Sequence, residues 1–272
     1  REAIRKVFME KIIYAKGLSK ASRLIDGIFM PTPAAVLRAG QLLSQGTAST
    51  KGWGDCLIVD VGGATTDVHS LGHGMPTKAG VVVRGLPEPF SKRTVEGDLG
   101  VRVSVLSLME AVSLAVLAQD TGWTEAEVDS RVHLLHRRPE ILPQNRDEIL
   151  FDQSLGYQAV RLGVGRHAGH LSELYTPSGL VWIQEGKDLS KVKRVIGTGG
   201  VLINSPDPLL MLEGAKQDAE LPLELRPESP AYFLDGDYIL AAMGLLAQED
   251  PEAALMVLKN SLSVYALTGG DN

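Results

Sequence analysis

The sequence predicts an α/β domain: a central mixed sheet flanked by helices, with a mainly helical subdomain inserted in it. Three observations predict this. Short apolar runs separated by glycine-rich turns occupy the stretch from Cys56 to Val83. A long stretch of helical spacing follows. Strand and helix patterns then alternate to the end of the chain.

Taken in order, residues 1–16 read as a helix, with Ile4, Val7, Phe8 and Ile12 on one face and Gly17 as its stop. A chain that opens inside a helix pattern, without Met or a signal-like apolar core, reads as a fragment. Thr32-Pro33-Ala34 is an N-cap with Pro at the first helical position, opening a helix through Ala35, Val36, Ala39, Leu42 and Leu43 to Gly46. Residues 45–54 are small, polar and glycine-rich, a loop. Cys56-Leu57-Ile58-Val59 is the continuous apolar run of a buried strand. Residues 61–65 turn the chain and 66–71 alternate as a second strand. Val81-Val82-Val83 reads as the third strand of a meander.

Leu99, Val103, Leu106 and Met109 then recur at helical spacing. Thr124-Glu125-Ala126-Glu127 is a capping box opening a helix that ends before Pro139. Residues 151–169 form another helix. Strands return at 179–184 and 193–196, Ser205-Pro206 caps a helix through Leu209, Leu210 and Leu212, and 231–234 is a short strand. Residues 235–246 make an apolar, alanine-rich helix. The expected divisions are 1–54 (N-terminal helices), 55–93 (the β-meander), 94–178 (the inserted helical subdomain) and 179–272 (the rest of the core).

Composition excludes several classes. With 272 residues, 44% of them hydrophobic, the chain is long enough for one large domain or two small ones and is not of disordered type. A net charge of −6 argues against nucleic acid, which needs a basic stripe to neutralise phosphates. Cys56 is the single cysteine, so an intrachain disulfide and a cysteine-rich zinc site are excluded, and the cytoplasm is the expected compartment. No apolar run approaches the roughly 20 residues that cross a bilayer.

Some pattern matches carry no chemistry. Gly163-Val164-Gly165-Arg166-His167-Ala168 fits a dinucleotide fingerprint but lies in a helix pattern rather than at a strand-to-helix turn. His133 and His136 lack acidic or thiol partners at a metal-ligand spacing and read as a solvated helix face. His167 and His170 read as structural or subdomain-contact residues.

One segment does carry chemistry: Leu57-Ile58-Val59-Asp60-Val61-Gly62-Gly63-Ala64-Thr65-Thr66-Asp67-Val68. A carboxylate ends a buried strand, where an unpaired charge is costly unless a cation relieves it. The glycines let backbone approach a ligand, with Gly63 a candidate for positive φ. Successive amides in such a turn, over Gly62, Gly63 and Ala64, form an anion nest, and Thr65 and Thr66 add hydroxyls. Asp60 is the candidate catalytic residue, holding a Mg²⁺-bound water or orienting an attacking one. The blander reading is a hairpin with Asp60 capping its turn. Gly197, Thr198, Gly199 and Gly200 end a second apolar strand, where backbone would approach a nucleoside and its α-phosphate; the alternative is a bulge. Glu96 and Gly97 open the helical subdomain at Thr94-Val95-Glu96-Gly97-Asp98, where helix capping competes with ligand contact.

In their order these motifs resemble the second half of the actin-like, ribonuclease H-like ATPase fold of acetate and sugar kinases, heat-shock chaperones and actin. Pro31-Thr32-Pro33-Ala34-Ala35-Val36, the Asp60–Ser70 segment, Gly85-Leu86-Pro87-Glu88-Pro89-Phe90, Arg93–Gly100, Arg166-His167-Ala168-Gly169 and Ile196–Leu202 narrow the resemblance to the MutL/GlmL family. These are accessory proteins of glutamate mutase, distinct from the mismatch-repair protein of similar name. The resemblance covers nearly the whole chain. It implies an ATP-dependent reactivating chaperone that releases damaged cobalamin from an adenosylcobalamin-dependent mutase, using ATP/ADP and Mg²⁺. It implies that Gly62 to Thr66 meet the phosphates, that Gly197 to Gly200 meet the adenosine, and that 235–244 closes against a first domain. That N-terminal ATPase domain would carry the first phosphate motif and a metal-binding Asp; no such hairpin precedes Cys56, so turnover by this chain alone is not expected. Two other readings stay open: a small-molecule kinase of the same fold, and a non-catalytic assembly protein.

Overall fold

A computed structural model describes residues 30–177 and 179–265. The helix expected over 1–16 lies outside the described residues.

Helix α1 (Thr32–Gln45) buries Ala35, Val36, Ala39 and Leu43 along one face and ends at Gly46, whose φ is +78°. Strands β1 (Cys56–Val61) and β2 (Thr66–Leu71) follow as an antiparallel pair. Then come β3 (Val81–Arg84) and β4 (Ser91–Glu96). Four helices occupy the middle: α2 (Val105–Val112), α3 (Leu114–Thr121), α4 (Glu125–Arg137) and α5 (Arg146–His167). The capping box at Thr124 and Glu127 is formed in full, and Asn145 caps α5 by accepting from the Glu148 amide. The hairpin of β5 (His170–Thr176) and β6 (Gly179–Glu185) leads to β7 (Arg194–Thr198). Short helices α6 (Gly200–Ile203) and α7 (Leu209–Leu212), strand β8 (Ala231–Leu234), helices α8 (Leu240–Leu246) and α9 (Pro251–Ser261) and strand β9 (Ser263–Tyr265) complete the order.

The main sheet has six strands in the order β4-β2-β1-β7-β8-β9. β1, β7 and β8 run parallel, and the pairs flanking them are antiparallel, so the sheet is mixed, as expected. Side-chain alternation sends Leu57, Val59 and Val61 into the core shared with α2–α7, while Cys56 and Ile58 face the core shared with α1, α8 and α9. β1 is thus covered on both faces, which is why its apolar run is unbroken. Among the described residues no helix is long and apolar enough to cross a membrane.

The structure corrects three element readings. The third meander strand is β4, not Val81–Val83; β3 pairs in parallel with β6 in a separate three-stranded sheet ordered β3-β6-β5. β4 lies at the edge of the main sheet and is only partly buried, so Ser91-Lys92-Arg93-Thr94-Val95-Glu96 needs no apolar run. Val82 and Val83 are about half exposed, apolar without being core. The helix expected from Leu99 starts only at Val105, because the amides of Val101, Arg102 and Val103 are donated to the Gly62 and Gly63 carbonyls. The closing helix begins at Leu240 rather than Asp235 and is packed on α1: a Cβ at Gly244 would collide with the Ala35 carbonyl oxygen. Gly244 therefore serves a contact inside this chain.

Candidate functional site

Strand register assembles one end of the main sheet. Asp60 stands opposite Asp67 in the antiparallel pairing and opposite Thr198 in the parallel one. Glu96 stands opposite Thr66, and Gly197 opposite Leu234, so Asp235 follows at the same edge. The edge holds the carboxyl ends of β1, β7 and β8, where ligands bind in open α/β sheets. Asp60 follows the alternation of Cys56 and Ile58 and so shares the α8 side of the sheet with Thr198.

Each carboxylate of this edge has a different fate. Asp67 is paired with Arg93, whose Nε donates to Oδ1 over 2.7 Å, and accepts the Thr65 hydroxyl at 3.2 Å. Asp235 accepts from the Thr198 hydroxyl (3.1 Å) and from the amides of Ile239 (2.9 Å) and Leu240 (3.2 Å), which fixes the start of α8. Asp60 makes no side-chain hydrogen bond or ion pair among the described residues. Burial, with Asp67 and Asp235 adding repulsion, pushes its carboxyl up to about 6, and Arg93 offsets only part of this.

The turn over residues 62–65 has a defined polarity. The Gly62 amide donates to the Thr65 carbonyl (2.9 Å), closing the hairpin. The Gly62 carbonyl accepts from Val101, the Gly63 carbonyl from Arg102 and Val103, and the Ala64 carbonyl from the Ser104 hydroxyl (2.7 Å). All three carbonyls thus face residues 101–104. In a trans peptide the next N–H points the opposite way, so the amides of Gly63, Ala64 and Thr65 face away from that segment. They make no hydrogen bond among the described residues. Three successive unspent amides on one side of a turn are donors free to meet a ligand. Gly63 is not in the left-handed region, contrary to expectation; a Cβ there would rest 3.3 Å from the Arg102 side chain.

The other sequence-predicted residues are placed as follows. Thr66 is fully buried, and its hydroxyl donates to the Leu99 carbonyl at 2.8 Å. Glu96 accepts from Arg166 (2.9 Å), which also binds Asp98 (2.8 Å), and Gly97 is exposed beside them. Gly197 is buried in β7. Gly199 has φ +103°, and a Cβ there would collide with the Val61 carbonyl oxygen, so this glycine lets the second glycine cluster lie against the end of β1. Gly200 is exposed, with open space beside its α-carbon. Asp60, the 62–65 turn and 197–200 are thereby brought to one edge, with Glu96 and Gly97 at its β4 end.

The rejected motifs sit where structural roles place them. Gly163 is inside α5, packed toward Thr66 and Val68, and His133 and His136 are exposed. His170 is exposed and paired with Glu185 (3.3 Å). His167 is fully buried, with Nδ1 bonded to the Thr94 hydroxyl (2.9 Å) and Nε2 to the Ser70 hydroxyl (2.8 Å).

Sequence reasoning missed Arg102, which lies beside Gly63 and is paired with Asp152, and Tyr238, which follows the Asp235 cap. Neither is marked by a local pattern. No group of three or more His, Cys, Asp or Glu side chains among the described residues comes together to hold a metal ion. A lone half-buried carboxylate without a cation partner fits an ion that keeps most of its waters, as Mg²⁺ does, and not one caged by protein ligands.

Comparison with known proteins agrees in extent with this architecture. The family model described as MutL protein matches residues 1–262. A curated relative, Protein MutL of Clostridium tetanomorphum, is 46% identical over 262 residues, which is 96% of this chain. The chain spans 57% of that relative's length. With residues 1–262 matched by that family model, the chain belongs to the MutL protein family.

Proposed function

We propose that the chain is the C-terminal nucleotide-binding half of an actin-like ATPase, acting as an ATP-dependent reactivating chaperone for an adenosylcobalamin-dependent mutase of the glutamate mutase type. The observation that carries the nucleotide reading is the 62–65 turn, with the carbonyls of Gly62, Gly63 and Ala64 spent on residues 101–104 and three amides left over on the other side. Those amides would receive the phosphates of ATP or ADP. Gly199 and Gly200 would receive the nucleoside, and Glu96 and Gly97 would border the mouth. Bound Mg²⁺ would supply charge neutralisation, and a cation near Asp60 would draw its carboxyl back to the ionised form. Asp60 would orient water at that ion, and the rest of the ATPase would complete the site from a preceding domain. Exchange of ATP for ADP would change the angle between the two halves, which is what a mutase bound across them would sense. The resemblance to accessory proteins of glutamate mutase supports the mutase as partner, and a single buried cysteine supports a cytoplasmic setting.

Calorimetric titration of Mg²⁺–ATP and Mg²⁺–ADP against this chain and Ala64→Glu tests the nest. Ala64 is exposed, so the variant should fold, and a carboxylate at the amides should repel the phosphates. Wild type should bind weakly, without appreciable turnover, and the variant at least about tenfold more weakly. Equal affinity would remove the phosphate role from the turn.

A further inference from the structure

The edge around Asp60 is short of side-chain donors. The Thr65 hydroxyl goes to Asp67, the Thr66 hydroxyl to Leu99, and the Thr198 hydroxyl to Asp235. Arg93 is spent on Asp67 and Arg102 on Asp152. Beyond the backbone amides of the 62–65 turn, an anionic ligand arriving here meets carboxylates that, when ionised, can only accept. Tyr238 is the exception. Its phenol makes no hydrogen bond among the described residues, and the residue is 56% exposed.

The backbone holds Tyr238 at this place against its own preference. Its amide donates to the Asp235 carbonyl (3.2 Å), and the Asp235 amide donates in turn to the Gly197 carbonyl (2.9 Å), so the loop is pinned to the end of β7. Tyr238 has φ +57°, and Ser113 is the one other non-glycine residue with positive φ among the described residues. A bulky side chain in the left-handed region is strained, and such strain persists where the surroundings require it, often at functional sites. Burial first, then the charges of Asp60 and Asp235, hold the phenol above its ordinary titration range, so the ring lies in the field of those two carboxylates.

We propose that Tyr238 is a ligand-contacting residue of this edge, its hydroxyl donating to a phosphate oxygen held beside Asp60. This rests on the nucleotide reading given above. The hydroxyl supplies a neutral side-chain donor, beside the turn amides, that helps a polyanion approach two carboxylates, and the strained backbone at 238 aims it.

The test uses residues 1–272 as wild type, Tyr238→Phe and Tyr238→Gly, titrated with Mg²⁺–ATP, Mg²⁺–ADP and adenosine. Tyr238→Phe should lose about tenfold in ATP and ADP affinity, the scale of one hydrogen bond to a charged group, with its denaturation midpoint and adenosine affinity unchanged. Tyr238→Gly should unfold at higher denaturant, because its backbone is relaxed, yet bind ATP as poorly as the Phe variant. A residue that only packs would give the stabilisation without the loss of affinity. Wild-type binding with an unchanged Phe variant would overturn the role of Tyr238 alone. Failure of wild type to bind any adenine nucleotide would overturn the nucleotide reading and this assignment together.

Discussion

Asp60 and Thr198 stand opposite each other across the β1–β7 pairing, yet the Thr198 hydroxyl is donated to Asp235 at 3.1 Å. The residue best placed by register to satisfy Asp60 therefore satisfies its neighbour. Asp235 becomes a firm cap for α8, and Asp60 is left half-buried and unpaired among the described residues. The cost of that arrangement can be read in stability.

Asp60 should make the protein less stable as pH rises. Its folded carboxyl is raised from 3.8 to about 6, so between those values the folded state holds the proton that the unfolded state has released. Stability from this group therefore falls from about pH 4 to about pH 6 and is constant above, by at most roughly 3 kcal/mol. Asp60→Asn should remove the slope and be about 1–3 kcal/mol more stable than wild type at pH 7. Urea unfolding of both proteins from pH 4 to 8 checks this. The two curves should separate progressively as pH rises; parallel curves would refute it.

The glycines at 199 and 200 should behave oppositely. Gly199→Ala places a methyl group against the Val61 carbonyl at a φ of +103°, so a loss of about 3 kcal/mol or more, or failure to fold, is expected. Gly200→Ala meets open space at the first position of a helix and should be neutral or stabilising by up to about 1 kcal/mol. Thermal denaturation of the two variants distinguishes them, and similar midpoints would contradict the close approach of residue 199 to β1.

Lys187 should produce a second pH dependence, at the alkaline end. Its side chain is fully buried, with Nζ donating to the carbonyls of Gly72 (2.7 Å), Phe90 (2.7 Å) and Ser70 (3.5 Å). Burial lowers its ammonium from 10.5 to about 8. In that window the unfolded state binds the extra proton, so stability rises with pH between about 8 and 10.5. Lys187→Met should abolish that rise and, by stripping the Gly72 carbonyl of its partner, lower stability at pH 7 by about 1–3 kcal/mol. Denaturation at pH 7, 8, 9 and 10 reads both effects.

His167 should be a structural histidine that stays neutral. Burial foremost, then the charges of Lys92 and Lys187, hold it well below 6.5, while both ring nitrogens are bonded. The unfolded state takes up the proton first, so this residue costs stability as pH falls below about 6.5. His167→Phe orphans the Ser70 and Thr94 hydroxyls and should lose about 2–4 kcal/mol at pH 7, at the scale of two unpaired buried groups. Proton NMR of the imidazole should show no titration from pH 5 to 8; a midpoint near 6.5 would mean that the ring is open to solvent.

Much of the architecture was legible because its signals are local. The apolar run at 56–59, the capping box at Thr124 and Glu127, the stop at Gly46 and the strand at 231–234 each act within a few residues, and each stands where its pattern puts it. Val81–Val83 shows the limit. Three β-branched residues announce a strand, but not which sheet it joins, and the meander is completed by the polar strand β4. An edge strand needs hydrogen-bonding partners more than it needs an apolar side chain, and partners are not written in its own residues.

By itself the sequence determined that a carboxylate ends a buried strand at Asp60, that a small-residue turn follows it, and that a second glycine cluster ends a later strand. Spacing and residue type suffice for that, because they govern φ, capping and alternation over short range. Only the tertiary structure decided that the two clusters meet, through parallel pairing of segments more than 130 residues apart. It alone decided that the 62–64 carbonyls are consumed by residues 101–104, that Thr66 and Thr198 spend their hydroxyls inside the fold, and that Tyr238 takes a positive φ. The physical reason is the hydrogen bond itself: a donor's fate depends on which acceptor the fold brings within about 3 Å.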